Sequence, residues 1–254
     1  MTALVLSAGG MYGAYQAGAW KALADVFHPD LVVGASIGAV TGWAIAGGCD
    51  PDELADRWLH LDAAARYTWK FPRSPFHGVF DTAPLQAAIR GIYESFQPRT
   101  HFAMVATDLL KLRPIALRGN EVSWQHLVAS TAIPVLFDQV RLGGRIYSDG
   151  GLLSAVPLWA AAEMGATKVL VIDVLPSLPS HIGRPLIQAV RTLSRFRPAV
   201  PAAIDIIRLG PPKLLGSPLE SIYWTRANAE AWIRAGEEQA AALKHSIANC
   251  FERE

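Results

Sequence analysis

Gly34-Ala35-Ser36-Ile37-Gly38 sets a serine between two glycines, directly after the apolar run Leu31-Val32-Val33 and ahead of a small-residue helix over Ala39–Ala46. A serine hydroxyl acts as a nucleophile when a tight strand-to-helix turn presents it outward, which is the setting of a nucleophile elbow. Gly34 and Gly38 fit that turn because a Cβ at either flank would meet neighbouring backbone. The helix that follows aims backbone N–H groups and the positive end of its dipole at a developing negative oxygen. A second glycine turn, Gly9-Gly10-Met11-Tyr12-Gly13, follows the apolar run Ala3–Leu6 and also opens a helix. Successive N–H groups in such a loop converge on an anion, as the oxyanion of acyl transfer requires. Gly9, Gly10, Met11 and Ile37 are the candidate oxyanion donors, and Gly13 supports the first turn. A third strand end, Arg145-Ile146-Tyr147-Ser148, closes on Asp149-Gly150-Gly151 and offers a carboxylate with two glycines behind it.

Each signal has a plain alternative when taken singly. Gly-x-Ser-x-Gly arises by chance in a chain with 21 glycines, and Asp-Gly is a common turn. Ala8-x-Gly10-x-x-Gly13 is also a degraded dinucleotide fingerprint, yet the acid that would hold a ribose at the end of the second strand is replaced by the Ser36 turn. Together the three turns weigh more, since the strand C-termini of an open parallel sheet share one edge, where ligands bind. Of the seven histidines, only His181 and His245 follow Asp149, and neither sits in a glycine-flanked strand-end loop. His28, His60, His77, His101 and His126 read as surface or helix residues.

The set resembles the patatin-like phospholipases over about Ala3–Val174, with support from Ala106-Thr107-Asp108-Leu109, Ala129–Phe137 and the Asp149–Pro157 rhythm of Asp-Gly-Gly followed by proline. The resemblance implies a three-layer α/β/α fold with a mostly parallel central sheet. It also implies cleavage of carboxylic esters of lipids through an acyl-Ser36 intermediate, with Asp149 as base, no histidine and no cofactor. Ala8 and Tyr12 stand where the family has a glycine and a basic residue, so ester hydrolysis is implied more directly than phospholipid cleavage. Two rival readings stay open: an α/β-hydrolase or acyltransferase with a serine, histidine and acid triad, and a non-catalytic module that holds a lipid or nucleotide.

The elements that must position these residues read as one domain over 1–254, with a motif-bearing core of about 3–175 and a C-terminal extension over 176–254. A composition of 254 residues, 51% hydrophobic, suffices for one large core. The net charge of +1 supplies no field to attract nucleic acid. Cys49 and Cys250 match no metal spacing or disulfide framework, so no metal site is expected and a reducing, cytoplasmic setting fits, with peripheral membrane contact left open. Met1-Thr2-Ala3-Leu4 carries no basic leader, which starts the fold at residue 1. Leu31–Cys49 is uncharged and of bilayer-spanning length, but its five glycines predict strand, turn and buried helix instead.

Helices are predicted over Ala14–Val26, Pro51–Tyr67, Leu85–Phe96, Trp124–Thr131 and Tyr223–Ile247, and strands over Phe102–Thr107, Arg113–Leu117, Lys168–Val174 and Ile204–Leu209. Thr68–Asp81 reads as an aromatic, proline-interrupted loop or cap. Its Trp69-Lys70-Phe71, Phe76 and Phe80 suit an acyl-chain pocket or a bilayer contact, with ordinary packing the expectation. The same holds for the basic amphipathic stretch Leu186–Arg197, with Arg191, Arg195 and Arg197.

Overall fold

The computed structural model describes residues 1–61, 67–175, 192–194, 196 and 201–251. The chain begins with β1 (Thr2–Leu6), α1 (Gly13–Leu23), β2 (Leu31–Ala35), α2 (Ile37–Ala46) and α3 (Pro51–Leu59), followed by the short strands β3 (Thr68–Trp69) and β4 (Phe80–Asp81). Next come α4 (Ala83–Ser95), β5 (His101–Asp108), β6 (Arg113–Arg118), α5 (Trp124–Ser130), β7 (Val140–Leu142) and β8 (Arg145–Ser148). The described remainder is α6 (Gly151–Ser154), α7 (Leu158–Glu163), β9 (Lys168–Ile172), β10 (Asp205–Leu209) and the long α8 (Arg226–Phe251).

Continuous apolar runs make strands that must be covered on both faces, and such strands assemble in parallel. β10, β9, β1, β2 and β5 lie side by side in that order, all parallel. Side chains alternate across the sheet. Leu4, Leu6, Val32, Met104 and Leu170 join the core shared with α1, α2 and α8, while Ala3, Val5, Val33, Val105 and Val171 pack with Leu158 and Trp159 of α7 on the other face. The result is the expected three-layer α/β/α arrangement. Leu31–Cys49 is strand, turn and buried helix, and no described helix is long and apolar enough to cross a membrane.

Two expectations are corrected. The helix expected to reach Tyr67 stops at Leu59: Asp50 caps its start by accepting from the N–H groups of Asp52 and Glu53, but Tyr67 lies beyond it, its ring tilted against those of Phe80 and Phe137. The second concerns the direction of β8. It runs antiparallel to β5, so its C-terminus does not belong to the shared edge of the parallel strands. The stretch Leu186–Arg197 lies mostly outside the described residues, including Arg191, Arg195 and Arg197.

Candidate active site

β8 reaches the right place by a different route. β6 pairs with β5 along the whole of Ala103–Asp108, which leaves the opposite edge of β5 for both β2 and β8. β2 occupies that edge up to Ala35, opposite Val105; β8, running the other way, ends at Ser148, opposite Thr107. The two strands therefore approach each other end to end along one neighbour, and the residue after each, Ser36 and Asp149, falls in the gap. There the Ser36 Oγ donates a hydrogen bond of 2.6 Å to Asp149 Oδ2, with both residues buried.

Both turns are held by backbone contacts that leave no room for a side chain. A Cβ on Gly34 would sit 2.1 Å from the Gly38 carbonyl oxygen, one on Gly38 2.5 Å from that of Leu6, and one on Gly150 2.1 Å from that of Val105. Ser36 itself has φ 54°, a left-handed conformation that costs an L-residue of the order of 1–3 kcal/mol and persists only where its surroundings enforce it. Ser130, at the end of α5, supplies that enforcement. Its hydroxyl accepts from the Ser36 N–H at 2.8 Å and donates to the Val105 carbonyl at 2.7 Å, while its own carbonyl accepts from the Gly150 N–H at 3.1 Å. One residue thus ties the serine turn, the aspartate turn and the strand between them.

The aspartate is fixed as firmly. Its N–H donates to the Ala132 carbonyl at 2.9 Å, its carbonyl accepts from Thr107 Oγ1 at 2.8 Å, and Oδ1 accepts from the Gly151 N–H at 2.6 Å. Burial pushes its pKa up to about 6, against the lowering effect of the Ser36 and Gly151 hydrogen bonds. It is a stronger base than a solvated aspartate near ~4, yet ionised at neutral pH. No hydrogen bond joins Ser36 or Asp149 to a histidine among the described residues, and His181 lies outside them.

The first glycine turn closes the third side. A Cβ on Gly151 would come within 2.6 Å of Ala8 Cβ, and the Ala8 N–H donates to the Ala155 carbonyl at 2.8 Å, so this loop rests directly on the aspartate turn. Gly13 packs against Trp58 and Ile37, which brings the loop to the start of α2. The Met11 N–H, expected to face an oxyanion, is engaged by the Ser221 carbonyl at 2.8 Å. The N–H groups of Gly9 and Gly10 have no protein acceptor among the described residues. Tyr12, in the place of the family's basic residue, is buried; its hydroxyl donates to the Ser217 carbonyl at 2.7 Å and its ring meets Trp232 edge-on at 4.9 Å. It clamps the C-terminal segment over the loop.

Ser130, Thr107 and Ser221 are contributors that the sequence did not single out. Ser130 and Thr107 fall within stretches that carried the family resemblance, but nothing in their spacing marks them; Ser221 sits in a segment without any motif. A small cleft beside the Asp149 support is lined by Leu85, Ile89, Val128, Ala132 and Phe137. Among the described residues no three His, Cys, Asp or Glu side chains are grouped so as to hold a metal ion.

The model of the patatin-like phospholipase family matches residues 4–162. Lysophospholipase NTE1 of Cryptococcus neoformans var. neoformans is 26% identical over 179 residues, covering 67% of this chain and 11% of its own length. The patatin-like phospholipase domain-containing protein 7 of Rattus norvegicus is 28% identical over 184 residues, covering 68% and 13%. The chain therefore spans only about a tenth of the length of these relatives. The crystal structure of VipD from Legionella pneumophila superposes with a TM-score of 0.54 at 15% identity, over 96% of this chain and 67% of that one, and shares the fold. With more than half of its length matched by the family model, the chain belongs to the patatin-like phospholipase family.

Proposed function

We propose that this protein hydrolyses carboxylic esters of lipids, with Ser36 as nucleophile and Asp149 as its general base. The observation that carries the reading is the buried 2.6 Å hydrogen bond from Ser36 Oγ to Asp149 Oδ2 across the ends of β2 and β8. Asp149 takes the hydroxyl proton as Oγ bonds to the ester carbonyl carbon. Charge on the carbonyl oxygen is met by the N–H groups of Gly9, Gly10 and Ile37; Met11 is not retained as a donor, because Ser221 engages its N–H. The protonated Asp149 then returns the proton to the departing alkoxide, leaving an acyl-Ser36. A water molecule, deprotonated by the same carboxylate, releases the acid and restores the serine. A carboxylate of pKa about 6 is a weak base for a hydroxyl, so most of the rate must come from the oxyanion donors, each worth roughly a hundredfold or more.

The names of the relatives suggest single-chain lysophospholipids as a substrate class. One catalytic unit over 1–254 is supported by the contacts of Tyr12 with Ser217 and Trp232. The free cysteines, Cys49 buried and Cys250 exposed, fit a reducing cytoplasmic setting. The test is a panel of p-nitrophenyl esters, lysophospholipids and diacyl phospholipids, assayed with wild type and Ser36→Ala. Turnover by wild type alone is the expected result, and absence of turnover on every ester would overturn the reading in favour of a binding module.

A further inference from the structure

The aromatic segment over 67–81 divides in two. Phe80 is buried at 3% exposure and, with Tyr67, Phe137 and Tyr223, forms a ring cluster with centroids 5.3–6.5 Å apart. Trp69 and Phe71, however, stand 74% and 96% exposed, although the Trp69 ring lies only 4.6 Å from that of Phe80. Two other segments bring exposed apolar side chains to the same cluster. The Lys70 N–H donates to the Val79 carbonyl and the Val79 N–H to that of Val135, which sets Val135, 58% exposed, beside the ribbon. Val135 has φ 72°, a conformation that a β-branched residue adopts only under constraint. Leu219, 65% exposed, is joined to Tyr223 by a backbone hydrogen bond, and Ser221 between them bonds Met11 of the oxyanion loop.

We propose that Trp69, Phe71, Val135 and Leu219 form the surface by which this protein docks on a phospholipid aggregate. The inference rests on the reading of Ser36 as a lipid ester hydrolase, because it names the physical state in which the substrate is met. Four apolar side chains from three separate segments, exposed around one cluster, are costly in water and gain by entering the headgroup and acyl boundary. Charge fits the same occupant. Arg73, within the segment, and Arg141, over the Phe76 ring at 5.1 Å, are exposed cations, whereas the acid Asp138 is held by Lys70 at 2.5 Å and by the Gly78 N–H at 2.8 Å, and the exposed Asp81 of β4 accepts from the Ala83 N–H at 3.0 Å. A phosphate-bearing surface therefore meets no uncompensated carboxylate at Asp138. The rim is joined to the oxyanion loop through Ser221, whose carbonyl accepts the Met11 N–H at 2.8 Å.

The test compares wild type with Trp69→Ser/Phe71→Ser, using flotation with phosphatidylcholine vesicles and hydrolysis of soluble p-nitrophenyl butyrate. The expected result is vesicle partitioning reduced at least about tenfold in the variant, with hydrolysis of the soluble ester within about twofold of wild type. Failure of wild type to float, or equal flotation of the variant, would overturn the proposal. So would a concentration-dependent dimer of wild type that the variant abolishes, since the rim would then be covered by a second copy. If wild type floats and the variant does not while neither cleaves the soluble ester, the docking surface stands and the hydrolase reading falls.

Discussion

Where β2 and β8 meet, position is dictated by backbone: glycine carbons lie against carbonyl oxygens, and nearly every polar atom of Ser36, Ser130 and Asp149 has a named partner. At the aromatic rim, two-residue strands and tilted or edge-on rings hold side chains that reach into solvent. The difference teaches how the work is divided. On the proposed mechanism, the proton-transfer partners must be placed to within a fraction of an ångström, which strand ends locked by close packing provide. Contact with a fluid, non-directional surface needs apolar area but no fixed partner, so loops and rings suffice.

The comparison predicts that substitutions at the junction act on chemistry and those at the rim on stability or surface contact. The largest effect is expected for Ser36→Ala and Asp149→Asn, each lowering kcat/KM by about a thousandfold or more with an unchanged circular dichroism spectrum. Next is Phe80→Ala, which removes the centre of the ring cluster and should destabilise the fold by about 3–5 kcal/mol in denaturant titration. Phe71→Ala, in the same segment but exposed, should shift stability by no more than about 0.5 kcal/mol. Equal effects of the two would erase the distinction between the buried and the exposed half of the segment.

A smaller effect has the opposite sign. Burial raises the Asp149 pKa to about 6 in the folded chain, from ~4 when unfolded. Between these values the folded state binds more protons, so stability falls as pH rises from ~4 to ~6 and the loss persists above. Asp149→Asn should therefore stabilise the protein at pH 8, by an amount of the order of 1–3 kcal/mol, and give little gain at pH 4. Thermal unfolding at the two pH values measures this. Activity runs the other way, rising with pH through about 6 as the base ionises. Ser130→Ala should lower kcat about ten- to a hundredfold with KM nearly unchanged and be rescued in part by Ser130→Thr. A change confined to KM would show that Ser130 does not act through Ser36.

Much of this arrangement was legible from residue order. Gly34–Gly38 and Gly9–Gly13 follow apolar strands and open helices, because glycine spacing reports a local steric demand that sequence alone displays. The placement of Asp149 was anticipated for a reason that proved wrong: β8 is antiparallel, and it meets Ser36 because it shares an edge of β5 with β2. Register between distant strands leaves no trace in the local pattern. Ser130 and Ser221 were missed for the same cause, since their roles depend on partners 94 and 210 positions away in Ser36 and Met11. The division of the aromatic segment was equally hidden, because Phe71 and Phe80 differ in what the fold brings over them and not in residue type.

The central claim, a serine activated by an aspartate without histidine, is tested most directly by locating the adduct of a fluorophosphonate probe by peptide mass spectrometry. The account predicts phosphonylation of Ser36 in wild type, retained in each of the seven single histidine-to-glutamine variants, His181 included, and lost in Asp149→Asn. Labelling that survives in Asp149→Asn, or that disappears in any one histidine variant which remains folded, would contradict it.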